Sequence, residues 1–68
     1  MTMSKTFEQV EGEKIAKRVL AGADLSLGWR EAGYGSAAEC AAVLVGDGYD
    51  RDQRDVAVAI VADALTEG

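Results

Sequence analysis

The segment from Ala32 to Glu39 constrains the fold more than any other part of this chain. It carries signals that end one helix and start the next within eight residues. Gly33 can adopt the left-handed backbone conformation that ends a helix at little steric cost. Ser36 is a favourable N-cap, and Glu39 follows three residues later, which is the spacing of a capping box. The segment therefore predicts two helices joined by a tight turn, as in a helix–turn–helix unit.

The charge of the second of these helices argues against the usual role of such units. Helix–turn–helix units commonly bind DNA through the helix after the turn, which is predicted here over residues 36–46. That helix contains no lysine or arginine and carries Glu39 instead. Because cations that neutralise phosphates provide much of the affinity for DNA, nucleic acid is the less favoured partner.

Acidic residues are concentrated in the second half of the chain. The net charge is −5; residues 1–30 hold five cations against four anions, and residues 31–68 hold two against eight. An acidic surface of this kind suits a basic protein surface. It would equally serve only to keep a small protein soluble, and the sequence leaves both explanations open.

The rest of the chain predicts an all-α fold, a small bundle of about four short helices in one domain over residues 1–68. Residues 1–6 are expected to be frayed, and no segment shows the alternation of a strand flanked by hairpin turns. Gly12 is a weak point of the first helix and a possible alternative start. Asp50 is expected to cap the last helix. The four helices are predicted over residues 7–22, 25–32, 36–46 and 51–67.

Apolar residues at helical spacing predict the core. Trp29, the largest apolar side chain, is expected to anchor it. The other residues expected to face inward are Ile15, Ala16, Val19, Leu20, Ala23, Cys40, Val43, Leu44, Val56, Ile60, Val61 and Leu65.

Cysteine and histidine usage excludes several kinds of site. The single cysteine, Cys40, rules out an intramolecular disulfide, and the absence of histidine rules out a Cys/His zinc site. Cys40 also lacks a histidine to activate it, so we expect a buried residue and not a nucleophile. No apolar run could span a membrane, and residues 1–6 lack the apolar core of a signal peptide. These features favour a cytoplasmic protein.

No pattern predicts a cofactor, a metal or catalysis. The segment from Asp47 to Asp55 is acidic enough to suggest a calcium loop, but Asp52 and Val58 occupy the sixth and twelfth positions, where an EF-hand needs glycine and glutamate. Helix capping by Asp50, with Asp52 and Asp55 near the positive end of the helix, accounts for the same residues. We expect a protein that is not an enzyme.

Three short motifs resemble a known family. The segments Asp24–Ser26, Arg30–Ser36 and Val56–Ile60 look like the N-terminal helix–turn–helix domain of phage small terminase subunits, over roughly residues 13–65. The turn from Gly33 to Ser36 is also similar to that of AraC-type regulators. The resemblance to terminases implies a phage protein that recognises DNA during genome packaging.

Together these observations favour a binding protein whose acidic face docks on a basic, nucleic-acid-binding protein. An inhibitor or adapter encoded by a phage or mobile element, for example one like the anti-CRISPR proteins, is a concrete form of this hypothesis. The alternatives are a helix–turn–helix DNA-binding protein and a homo-oligomer that assembles through apolar helices. The residues predicted to bind the partner are Tyr34, Glu39, Asp47, Tyr49, Asp50, Asp52 and Asp55.

Overall fold

A computed structural model describes residues 5–24 and 28–67, with Glu67 described for its backbone only. Within these residues the chain is all-helical, with three helices and no strand. The helices are α1 (Phe7–Gly22), α2 (Ala37–Val45) and α3 (Arg51–Glu67). The described part thus confirms the predicted all-α class and the bounds expected for the first, third and last helices to within a residue.

The core lies where α1 and α2 both pack against α3. The contacts of α3 with α1 and with α2 are extensive, whereas α1 and α2 contact each other least. At the centre, Ala57 and Val61 of α3 are fully buried. The buried side chains of the core are Ile15, Ala16, Ala41, Val45, Ala57 and Val61, and half-buried residues such as Leu20, Leu44, Ile60 and Leu65 pack around them.

Gly12 is a packing contact inside α1 and does not mark its start. Helix α1 begins after Thr6, whose hydroxyl accepts a hydrogen bond from the Gln9 amide. Gly12 is buried, and a Cβ atom placed there would lie 2.5 Å from the Cβ of Val56 and 2.9 Å from the carbonyl oxygen of Gln53. The glycine therefore allows the backbone of α1 to approach α3 closely, a role that depends on tertiary packing.

The segment between α1 and α2 is only partly described. The helix predicted over residues 25–32 falls in part on 25–27, which lie outside the described residues. Its described remainder forms turns, in which the Ala32 amide donates to the Gly28 carbonyl and the Tyr34 amide to the Trp29 carbonyl. Gly33 adopts a positive φ of 96°, as the predicted turn requires.

Local capping interactions fix both ends of α2, and the first of them is the one predicted at Ser36. The Ser36 hydroxyl accepts a hydrogen bond from the Glu39 amide, and the Glu39 carboxylate accepts one from the Gly35 amide. This is a capping box displaced by one residue, since the carboxylate reaches the amide before the N-cap. At the other end, Gly46 takes a φ of 80° as C-cap, which is favourable for glycine alone.

The inward face of α2 differs from the predicted one. Cys40 is buried and Leu44 is half-buried, as expected, but Val43 is 59% exposed. Ala41 and Val45 are buried instead. Because Val43 is two residues from each, it points about 200° around the helix from both of them. The expectation for Val43 was therefore wrong, since an almost wholly apolar helix does not reveal which side faces the core.

Candidate functional site

Four aspartates lie around the start of α3, and a fifth lies farther along the same helix. Asp47 and Asp50 lie in the loop that joins α2 to α3, Asp52 and Asp55 lie in the first two turns of α3, and all of them are exposed. Asp63 continues the row, because the exposed positions of α3 recur at helical spacing from Asp52 onward. We call these five residues the acidic surface.

Two arginines, Arg51 and Arg54, lie among the aspartates of the acidic surface in the sequence. The side chain of Arg54 turns inward. Its Nε atom donates to the Gly46 carbonyl oxygen over 2.6 Å, and Nη2 lies 3.4 Å from the Ala42 carbonyl oxygen. Nη2 is also 3.5 Å from the Asp47 carboxylate, which is 98% exposed. Arg54 thus satisfies carbonyls at the negative C-terminal end of α2 and fixes the loop on which Asp47 lies.

The carboxylates of the acidic surface have few cations to balance them. Within the described residues, Asp50, Asp52, Asp55 and Asp63 form no ion pair, and the contact of Asp47 with Arg54 is long and exposed. Such a contact contributes little, since solvent screens it. The acidic surface therefore presents a concentrated negative charge, in which Arg51 is the exposed cation.

Glu39 lies apart from the predicted aspartates. It occupies the first turn of α2, whereas Asp47 follows the last turn, and the helix between Glu39 and Val45 spans about 9 Å. Its carboxylate is engaged by the Gly35 amide. The structure therefore brings four of the predicted acidic residues together and assigns the fifth a local role as a cap.

The two predicted tyrosines occupy different places. Tyr49 lies in the α2–α3 loop with the acidic surface, and its half-buried ring packs against the core. Tyr34 lies in the turn before α2 and is also half-buried. Tyr49 can thus contribute an edge of its ring beside the aspartates, whereas Tyr34 belongs to the opposite end of α2 with Glu39.

Trp29 lines an open cleft and is only half-buried. The cleft has a volume of about 390 Å³ and lies between the turn at residues 28–31 and Leu65 and Thr66 near the end of α3. The guanidinium carbon of Arg30 is 4.9 Å from the centroid of the indole ring, which is a cation–π contact. The expectation that Trp29 anchors the core was therefore wrong: it lies at the margin, where its exposed face is covered by Arg30.

The described residues contain no group of three or more histidine, cysteine, aspartate or glutamate side chains placed to hold a metal ion. Cys40 is a free, buried thiol. In the same part of the chain, none of the helices has both the length and the apolar character needed to cross a membrane.

Sequence reasoning missed two features of this site. Asp63 could have been found, because it follows Asp52 and Asp55 at helical spacing. Arg54 could not, since its contact with α2 joins residues eight and twelve positions apart across a turn. Comparison with known proteins adds no relative: no family model, no curated protein and no solved structure matches this chain.

Proposed function

We propose that this protein is a non-enzymatic binding module whose acidic surface docks on a basic protein surface. The observation that carries the proposal is the inward orientation of Arg54, which leaves Asp50, Asp52 and Asp55 exposed without an ion pair among the described residues. A folded domain loses stability when like charges are crowded on it. A surface that concentrates them beside a fixed loop is well suited to a partner of opposite charge.

The partner that fits best is a protein with a row of lysine or arginine side chains, such as the nucleic-acid-binding groove of a larger complex. In such a groove, the carboxylates at the start of α3 and in the loop before it would take the place of successive phosphates of the nucleic acid. Complementary potentials of this kind accelerate association and select the partner. An inhibitor or adapter encoded by a phage or mobile element, acting like an anti-CRISPR protein, is the concrete form of this proposal.

Charge reversal on the acidic surface tests the proposal. The probe is an immobilised arginine-rich peptide, and the variant carries Asp50→Lys with Asp52→Lys. We expect the unaltered chain to bind at low salt and the variant to lose at least about tenfold in affinity, which corresponds to about 1.4 kcal/mol. Binding should also weaken as salt screens the charges.

The matched control reverses two carboxylates that lie outside the acidic surface, with Glu8→Lys and Glu31→Lys. Both double variants change the net charge equally, so a nonspecific attraction to the peptide would fall by the same factor in each. Equal losses would contradict the proposal, and a loss confined to the aspartate variant would support it. Circular dichroism of each variant checks that the helices are retained.

The alternative function is DNA binding by a helix–turn–helix unit, as the resemblance to small terminase subunits implies. One observation favours it: Lys14, Lys17 and Arg18 lie exposed on one side of α1. The cations are not on α2, the helix that would enter the groove. Retardation of a DNA duplex that weakens with salt and is lost in Lys17→Glu with Arg18→Glu would support this alternative over the first.

A further inference from the structure

Three large apolar side chains are exposed among the described residues, and they lie on two different helices. Phe7 is 67% exposed and Val10 is 37% exposed on α1, and Val43 is 59% exposed on α2. Because α1 and α2 pack on α3 and contact each other least, these two apolar positions do not cover each other within one chain. A partner is needed to remove either of them from water.

The exposed side of α1 is apolar at one end and basic at the other. Phe7 and Val10 lead, by helical spacing, to Lys14, Lys17 and Arg18, and all five residues are exposed. Lys14 contacts Glu11 over 3.1 Å, whereas Lys17 and Arg18 form no ion pair within the described residues. We call these five residues the α1 outer stripe.

The exposed side of α2 has the complementary chemistry. Val43 is exposed on α2 one turn after Glu39, the one charged residue of that helix, and a helix with so much apolar surface is normally covered. Carboxylates flank this α2 outer face, with Glu39 at one end and Asp47 and Asp50 beyond the other. An apolar centre with a charged rim is the usual anatomy of a protein interface.

We propose that two copies of this chain associate by placing the α1 outer stripe of one on the α2 outer face of the other. Phe7 and Val10 would cover Val43, and Lys17 and Arg18 would lie beside Asp47 and Asp50. The occupant is a second copy because this chain itself carries the basic, apolar-ended helix face that the α2 outer face requires. This inference does not depend on the proposed function, although a basic partner would compete for Asp47 and Asp50.

The size of the surfaces predicts a weak association. A stable complex buries about 800 Å² on each partner, about a sixth of the 4845 Å² that this chain exposes. One side of a single helix provides less than that, so we expect a dissociation constant in the micromolar range or weaker. Association should decrease with salt, because the rim is charged.

Sedimentation equilibrium from micromolar to millimolar concentration tests the proposal, together with amide chemical shifts recorded over the same range. We expect the mean mass to rise with concentration and the shifts to change in α1 and around residues 38–50. Phe7→Gln and Val43→Gln should each weaken association at least about tenfold. Ala59→Gln, at an exposed position of α3 away from both surfaces, is the matched control and should have no effect.

An exchange of charges between the two surfaces distinguishes this contact from nonspecific self-association. Lys17→Glu and Asp50→Lys should each weaken association, because like charges then meet between two copies of the same variant. Mixing the two variants should restore association, since both contacts between unlike copies again join opposite charges. The double variant should recover much of the loss, since its charges are again opposite. A monomer at every concentration, or shifts confined to the outer side of α3, would overturn the proposal. Neither result would contradict peptide binding by the acidic surface. Phe7→Gln leaves that surface unchanged and should still bind the peptide.

Discussion

Gly12 sets the distance at which α1 and α3 pack. Its absent side chain leaves room for Val56, whose Cβ and Cγ1 atoms would each lie 2.5 Å from an added Cβ. Glycine in the middle of a helix costs about 1 kcal/mol relative to alanine. We infer that the close contact of the two helices offsets that cost.

Replacing Gly12 with alanine should therefore destabilise the protein despite the better helix propensity of alanine. We expect a loss of about 1–3 kcal/mol in the free energy of unfolding, because the added methyl group forces the helices apart. Chemical denaturation measures it. Gly22→Ala is the matched control, since nothing lies within 4 Å of that position, and it should be neutral or slightly stabilising. A Gly12→Ala protein as stable as the control would show that the contact is not tight.

At the scale of elements, Arg54 joins α3 to the end of α2. Four carbonyls at the end of a helix lack partners within it. Here a side chain from the next helix donates to the Gly46 carbonyl just beyond α2 and adds a second donor to the Ala42 carbonyl, which also accepts from the Gly46 amide. The guanidinium is well suited to this role because its donors are arranged in a rigid fork. The contact also fixes the loop that carries Asp47 and Tyr49, so one residue serves both the fold and the candidate site.

We expect Arg54→Met to lower the free energy of unfolding by about 1–2 kcal/mol, because it keeps the aliphatic stem and removes charged hydrogen bonds. Thermal unfolding monitored by circular dichroism is the measurement. Arg51→Met serves as the control, since Arg51 is exposed and its loss should change stability by less than about 0.5 kcal/mol. Equal effects at the two arginines would contradict the capping role.

The elements also show which parts of the fold could be predicted. The bounds of α1 and α2 were predicted to within a residue because caps act locally: Thr6, Ser36 and Gly46 stand within a few residues of the bonds they form. The orientation of α2 was not predicted correctly, since Val43 and Val45 are equally apolar and only packing against α3 distinguishes them. Gly12 and Arg54 were missed for the same reason.

At the scale of the whole molecule, the sequence predicted four of the five residues of the acidic surface. Asp47, Asp50, Asp52 and Asp55 are close in the chain, so any compact fold keeps them close in space. Glu39 was grouped with them by its charge, but α2 separates it from them, and its carboxylate serves as a cap. The charges in the sequence were therefore enough to locate the acidic surface, but the structure was needed to show that Glu39 does not belong to it.

The distribution of charge gives the molecule two distinct sides. The cations Lys14, Lys17 and Arg18 follow the exposed side of α1, and the carboxylates of the acidic surface follow the exposed side of α3 and its preceding loop. These two exposed sides belong to different helices, and α1 packs on α3 through its buried side. The molecule can therefore present opposite charges to two different partners.

One measurement separates the two candidate functions directly: amide chemical shifts of the labelled chain, recorded at low salt with an arginine-rich peptide and then with a DNA duplex. The proposed function predicts that the peptide shifts the amides of residues 46–55 and that the duplex shifts none. Shifts in residues 14–18 and 37–45 on adding the duplex, with no response to the peptide, would contradict it.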